Sequence, residues 1–406
     1  MEPRERIVVV GAGLAGNRLA QHLGAVHDVT LIAEEPHPAY NRVLLAEVLA
    51  GHYPADVIRL PRPPHATRRE ARAVRVDRAA RTVQCDDGAG LPYDRLVLAT
   101  GSNPVLPPLR GLFAPGGHEL PAGVHAFRTL DDCLALAAAT RADTRVVVIG
   151  GGLLGSSAAR ALARRGAQVV LAHQGEHLME RQLDAQASRM LRTHLEGLGV
   201  EVHTECRVRG LRCAPDGVRA VELADGYRLT AELVVLACGV RPRTGLARAA
   251  GLETARGIVV DDELRTSDPY IHALGDCAEH RGTVYGLAGP ALDQADTLAR
   301  VLTGGKATYE GSRVLTRLTL VPDSRTPLDL AAFGDPVPGP DDDVIQLADA
   351  TRRAYRKVVV RDGRLVGGIL LGDLAAVGAL ARAWEADEPL PDDVPLLHLL
   401  THPGGP

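Results

Sequence analysis

The chain repeats itself, and that repeat limits what it can fold into. Ile7-Val8-Val9-Val10 runs into Gly11-Ala12-Gly13-Leu14-Ala15-Gly16, and 139 residues later Val146-Val147-Val148-Ile149 runs into Gly150-Gly151-Gly152-Leu153-Leu154-Gly155. Each copy reads as a buried β-branched strand that breaks into G-x-G-x-x-G and opens a helix rich in alanine and leucine, over residues 17–23 and 156–165. A second strand closes each unit, at residues 29–32 and 169–171, with no gap needed between the copies. In such a turn the first glycine permits the tight bend, the second lets backbone approach a pyrophosphate, and the third lets helix and strand pack closely. The anion then meets the free N–H groups and positive dipole end of the helix. Two βαβ dinucleotide-binding halves are therefore expected.

The same count assigns the residue that meets a ribose. Glu34 lies 23 residues after Gly11, at the end of the second strand, where a carboxylate accepts both ribose hydroxyls; Glu35 is the neighbouring alternative. In the second copy the position is His173, so the carboxylate that usually marks NAD is missing. No arginine sits beside it to claim a 2′-phosphate, Arg181 being the nearest downstream. Gly155 and the lack of a basic cluster favour NADH over NADPH.

Composition fits this reading. With 406 residues the chain has room for two to three domains, and 46% apolar residues suffice for substantial cores. A net charge of -4 argues against a nucleic-acid footprint. No stretch approaches the roughly 20 apolar residues of a membrane span. The start leads directly into strand and glycines, unlike a signal peptide. Cys85, Cys133, Cys206, Cys213, Cys238 and Cys277 show no close pairing, which suits a reducing cytoplasm and structural thiols. Cys206 and Cys213 are expected to flank a turn.

Two further motifs carry a resemblance. Leu96-Val97-Leu98-Ala99-Thr100-Gly101-Ser102 reads as a strand ending in A-T-G, and Thr266 to Gly275-Asp276 as a strand ending in G-D. With the doubled glycine turns, the chain resembles the two-dinucleotide flavoprotein reductases. The fold implied is α/β: two Rossmann-like dinucleotide-binding domains, the NAD domain inserted in the FAD domain, plus a small C-terminal α/β domain. The implied boundaries are 1–110 with 240–305 for FAD, 111–239 for NAD(P)H and 306–406 for a cover or interface domain. The Thr-Gly turn would pass near the flavin, and Asp276 would hydrogen-bond its ribityl chain or pyrophosphate. Cys238-Gly239-Val240-Arg241-Pro242 looks like the return to the FAD domain. Tyr285 to Pro290 precedes a helix over residues 291–302, whose positive end would face the flavin.

Several short stretches resemble the flavin portion of NAD(P)H-dependent assimilatory nitrite reductases and the electron-transfer subunit of assimilatory nitrate reductases. They are Pro38 to Val43, Leu153-Leu154-Gly155, Leu178 to Asp184 and Tyr285 to Pro290; the likeness runs from Ile7 to about Thr303 and again from Tyr355 to Asp373. The resemblance assigns FAD to Gly11, Gly13, Leu14, Ala15, Gly16, Glu34, Glu35, Arg42, Val74, Ala99, Thr100, Gly101, Gly275, Asp276 and Leu287. Arg42 would contact the FAD phosphates. It assigns NADH or NADPH to Gly150, Gly152, Leu153, Leu154, Gly155, His173, Cys238 and Gly239. No side chain is singled out as catalytic, because the flavin carries the chemistry.

The implied activity is an FAD-dependent NAD(P)H oxidoreductase serving a redox partner protein, a nitrate or nitrite reductase subunit, with a homodimer as one arrangement. Alternatives are a ferredoxin- or rubredoxin-type reductase, an FAD-dependent oxidase of a biosynthetic pathway, and an FAD-binding subunit without NAD(P)H turnover. The departures are specific. Ferredoxin-reductase relatives keep a lysine and a glutamate where this chain has Glu47 and Ser157. No cysteine set suits an iron–sulfur cluster or sirohaem, so the chain by itself is not expected to reduce nitrite. His173 to His177 matches H-x-x-E-H, but follows a strand and contains a glycine, so no metal is expected. Beyond residue 309, Leu315 to Leu320 and the runs flanking Asp362-Gly363 read as strands and a hairpin, followed by a helix over residues 374–384. Asp341-Asp342-Asp343 reads as a solvated loop and residues 389–406 as a loose tail.

Overall fold

The computed structural model describes residues 4–114, 116–320, 328–390 and 395–401. They form two compact units: residues up to Leu45 with Tyr53–Asn103 and Val240–Ser312, and Ala46–His52 with Pro104–Gly239 and the chain from Arg313 onward. Among the described residues no helix is long and apolar enough to cross a membrane.

In the first unit, β1 (Arg6–Val10) leads through the glycine turn into α1 (Leu14–Leu23) and β2 (Asp28–Ala33). β1 lies between β2 and Arg95–Leu98 in a five-stranded sheet, with Ile271–Ala273 and Thr67–Glu70 at its edges, all pairings parallel. In the second, β3 (Arg145–Ile149), α2 (Leu153–Arg164) and β4 (Gln168–Ala172) repeat the pattern. β3 lies between β4 and Leu233–Leu236, with Val200–His203 and Val124–Ala126 at the edges. Central strands enclosed on both faces call for unbroken β-branched runs, which Ile7 to Val10 and Val146 to Ile149 supply.

The repeat extends further than the glycine turns. Each half carries a three-stranded antiparallel sheet, over Ala73–Asp77, Thr82–Cys85 and Gly90–Pro92 in one and Val208–Ala214, Gly217–Leu223 and Arg228–Thr230 in the other. The hairpin turn in the second follows Cys213, at residues 215–216, so Cys206 and Cys213 do not flank it as expected. The G-D stretch is also shorter as a strand than expected. Only Ile271–Ala273 pairs, and Gly275–Cys277 is a single 3-10 turn.

One expectation about spacing fails. Gly11 N–H donates to Ile32 O and Gly150 N–H to Ala172 O, an offset of 140 rather than 139. α2 is two residues longer than α1 and its connection to the next strand one residue shorter. The structural counterpart of His173 is therefore Ala33, and that of Glu34 is Gln174.

The C-terminal segment is an antiparallel sheet ordered Leu315–Leu320, Leu328–Gly334, Arg364–Leu371, Ala354–Arg361, Asp343–Asp349. Asp362 (φ 49°) and Gly363 (φ 67°) form the expected hairpin turn. The helix over Val377–Ala386 begins three residues later than expected, and Trp384 packs on Phe333 with ring centroids 5.3 Å apart. Asp342 is not the solvated loop residue anticipated. It takes two hydrogen bonds from Arg361, each 2.8 Å, and one from Gly339 N–H. Leu390, Leu399 and Leu400 are buried in this core, so the tail is anchored there; residues 391–394 and 402–406 lie outside the described residues.

Alternation along Ala354–Arg361 gives that strand two different faces. Val358 and Val360 join the core under the helix, whereas Tyr355 and Lys357 turn the other way to Asp184. Asp184 accepts from Tyr355 Oη at 2.5 Å and Lys357 Nζ at 3.2 Å, and its other oxygen caps helix Ala185–Gly197 through Ala187 N–H. Two sequence stretches noted for their resemblance thus meet at one ion pair, buried at Lys357 and half-buried at Asp184. Asp184→Ala leaves the Lys357 ammonium without its carboxylate and is expected to cost on the order of 3–5 kcal/mol. Adding Lys357→Met should recover most of that loss. Urea unfolding followed by fluorescence of Trp384, the single tryptophan, measures both.

Candidate functional site

The two glycine turns have the same steric plan. A methyl group on Gly11 would sit 2.1 Å from Ala99 O, and on Gly150 2.4 Å from Ala237 O. Both residues adopt φ near +110°, at +114° and +110°, a region favourable only to glycine. A methyl on Gly16 would meet Gly11 O at 2.0 Å, and on Gly155 Gly150 O at 1.7 Å. Gly13 and Gly152 differ from these four: nothing lies within 4 Å of where a methyl would stand. Each is the N-cap of its helix, with no side chain capping the end and no acidic residue in the first turn. The first and third glycines are closed by packing, and the second faces open space beside unpaired helix amides.

In the first unit, the A-T-G turn lies against Gly11, and Ala99 N–H donates to Val10 O. Thr100 Oγ1 donates to Arg243 O, and the Arg243 guanidinium pairs with Glu34 at 2.7 Å. A methyl on Gly275 would stand 3.3 Å from Ala15 Cβ, and the Gly275 N–H donates to the buried Gln294 Oε1 at 2.7 Å. Asp276 accepts from Ser102 Oγ at 2.8 Å. Glu35 is taken up by the Tyr40 hydroxyl, at 2.5 Å, and by Arg42. Burial works against the Arg42 charge, yet Tyr40, Glu35 and Asp276 outweigh it and raise its pKa. α3 (Ala288–Leu302) starts three residues earlier than expected, with half-buried Leu287 as an N-cap that offers no side-chain bond. Asp296 on α3 accepts from Arg18 Nε and Nη2 of α1, at 2.7 and 3.0 Å.

The glycines, Leu14, Ala15, Ala99 to Gly101, Gly275, Asp276, Glu34, Glu35 and Arg42 thus gather on the side of the sheet where parallel strands end. Val74 lies on the appended antiparallel sheet and is 47% exposed. Sequence reasoning missed Ser102, Arg243 and Gln294, which orient Asp276, Glu34 and Gly275. Only Ser102 had a local signal, its place directly after A-T-G.

In the second unit, Ala237-Cys238-Gly239 repeats the A-T-G turn, with Ala237 N–H on Ile149 O. Leu153 and Leu154 open α2. His173 directly follows β4 with both ring nitrogens engaged: Nδ1 accepts from Gly151 N–H at 3.1 Å, and Nε2 lies 3.0 Å from His177 O. Among the described residues no group of three or more His, Cys, Asp or Glu could hold a metal. Ser157 is buried and donates to Leu153 O at 2.7 Å. Glu47 is bound by Arg160, whose side chain is 2% exposed, and by His52 Nδ1 at 2.5 Å. Burial lowers the Arg160 pKa, with Glu47 opposing.

Residues 5–295 match the family model described as pyridine nucleotide-disulphide oxidoreductase, and residues 326–387 that of the rubredoxin NAD+ reductase C-terminal domain. The chain belongs to the pyridine nucleotide-disulphide oxidoreductase family. It is 36% identical over 381 residues to the nitrite reductase [NAD(P)H] of Bacillus subtilis, covering 91% of this chain and 46% of the relative. It is 34% identical to the assimilatory nitrate reductase electron transfer subunit of the same organism, covering 91% and 48%. The chain therefore spans about half the length of these relatives. The solved ferredoxin reductase for the CYP199A2 system from Rhodopseudomonas palustris is 27% identical, with a TM-score of 0.85 over 95% of this chain and 96% of that one.

As a member of this oxidoreductase family the chain is an enzyme, and membership implies FAD and a nicotinamide nucleotide. The residues fit both. Each of the two openings at Gly13 and Gly152 is bordered by free helix amides, the donor set a pyrophosphate needs. Disulfide chemistry has no equivalent support. None of the six thiols is joined in a disulfide, and the pKa of every one is raised, burial being the foremost cause; Cys133 is pushed up to about 11. A reactive thiol requires the opposite shift. Thiol titration of the native chain should modify exposed Cys213 first, half-buried Cys206 and Cys238 slowly, and Cys85, Cys133 and Cys277 only after unfolding. Two or more fast-reacting thiols would contradict this assignment.

Proposed function

We propose that the first glycine turn holds FAD, that the second takes NADH or NADPH as hydride donor with NADH preferred, and that the electrons pass to a redox partner protein of nitrate or nitrite assimilation in the cytoplasm. The observation that carries the reading is the matched pair of openings at Gly13 and Gly152 beside uncapped helix ends. On this reading residues 1–110 and 240–305 form the FAD-binding domain, 111–239 the NAD(P)H-binding domain, and 306–406 the domain that meets a partner or a second copy.

FAD, when bound, supplies the redox chemistry that the side chains lack, taking up a hydride and giving electrons up singly. The chain supplies position and field. Gly11 to Gly16 and the first amides of α1 hold the pyrophosphate, and Arg42, kept cationic by its neighbours, offsets the phosphate charge. Glu34, steadied by Arg243, takes the adenosine ribose, since Glu35 is already bonded to Tyr40 and Arg42. Asp276, oriented by Ser102, accepts from ribityl hydroxyls. The N-terminus of α3 at Leu287 presents partial positive charge to the electron-rich edge of the ring. In the second half Gly150 to Gly155 with Cys238 and Gly239 line the nicotinamide-nucleotide site.

A second reading is a reductase for a ferredoxin or rubredoxin carrier. It is favoured by the match of residues 326–387 and by the near-complete coverage of a ferredoxin reductase.

Gly13→Asp and Gly152→Asp test the assignment of the two turns. Aspartate is a good N-cap and meets no neighbour there, so both variants should fold. The carboxylate would stand where the pyrophosphate belongs. Gly13→Asp should weaken FAD binding by on the order of 100-fold. Gly152→Asp should keep FAD but lose reduction by NADH. Loss of FAD from Gly152→Asp, with Gly13→Asp unaffected, would reverse the assignment.

A further inference from the structure

We propose that Glu180 makes the second site select NADH over NADPH, supplying from the loop after β4 the carboxylate that the end of the strand lacks. The proposal rests on the reading of the second glycine turn as the nicotinamide-nucleotide site.

His173 does not do this work. Its Nδ1 accepts from Gly151 N–H and its Nε2 lies 3.0 Å from His177 O. Neither nitrogen is left for a ribose diol. The ring instead braces the glycine turn.

The loop that follows is fastened to the same turn. Met179 N–H donates to Gly151 O at 3.0 Å, and Gln182 and Leu183 N–H both return to Met179 O. Met179 takes φ +52°, and it and Leu178 are buried. The Leu178 side chain and the His173 ring close over Gly151, 2.5 and 2.8 Å from the place of a methyl group. Glu180, next in sequence, is therefore held by the anchor itself.

Its carboxylate folds back over Gly175. A methyl on Gly175 would stand 2.4 Å from Glu180 Oε2 and 2.9 Å from His173 Nε2, so carboxylate and imidazole border one small space just beyond β4. Glycine at 175 leaves that space open. Glu180 is exposed and makes no hydrogen bond or ion pair with another described residue. An available carboxylate accepts both hydroxyls of a vicinal diol and repels a phosphate on the 2′ oxygen. Arg181 beside it is exposed and would favour the phosphate, so the two neighbours make opposite predictions.

The test is calorimetric titration of the FAD-loaded full chain with NAD+ and with NADP+, which reads binding without turnover. NAD+ should bind the unaltered chain about tenfold more tightly or better. Glu180→Gln should cut that preference about fivefold or more, mainly by tightening NADP+. Gly175→Ala, which displaces the carboxylate without changing any charge, should do the same. Arg181→Ala should leave the preference standing. The proposal is overturned if both Glu180→Gln and Gly175→Ala keep the original ratio, or if NADP+ binds the unaltered chain as tightly as NAD+. If neither nucleotide binds the unaltered chain, the reading of the second site falls, and this one with it.

Discussion

The structure depends on one close approach made twice: a helix drawn against the carbonyl oxygens of the turn before it. A side chain on Gly16 or Gly155 would overlap the first glycine's carbonyl oxygen, at 2.0 and 1.7 Å. That contact sets the helix directly beyond the strand and aims its free amides at the open second glycine. Both sites follow from it, because Ala99 and Ala237 close the first glycine from the neighbouring strand and bring the A-x-G turns to the same place. Ser102, Asp276 and Gln294 then refine a position the glycines have already chosen.

Much of this was legible because it is local. β-branched runs, glycines at fixed spacing and Asp362-Gly363 each state a backbone conformation that nearby residues must adopt. The fold class and the three chain segments of the sheet around β1 came from such signals. What was not legible depends on distant pairing or on small differences in length. The one-residue shift that makes Ala33, not Glu34, the counterpart of His173 arises from a longer α2 and a shorter connection, which cancel almost completely in the sequence. Gln294 meets Gly275 only because α3 packs on α1 through Asp296 and Arg18, and nothing in the local pattern announces it. Asp342 looked solvated because its partner, Arg361, lies on another strand.

Glu47 and Ser157, the two positions at which the sequence departs from the resemblance, are both held by bonds of their own. Glu47 is paired with Arg160, one helical turn beyond Ser157. Ser157 bonds within its own helix, donating to Leu153 O. A buried guanidinium without that carboxylate would be costly, so Arg160 depends on Glu47.

The central claim is that two similar glycine turns in one chain do different jobs, one retaining FAD and the other presenting a hydride donor to it. Rapid anaerobic mixing of the FAD-loaded chain with NADH, followed at the visible flavin band, tests it most directly. The account predicts fast bleaching of that band, with NADPH slower at equal concentration. A flavin that stays oxidised in the presence of either nucleotide would contradict it.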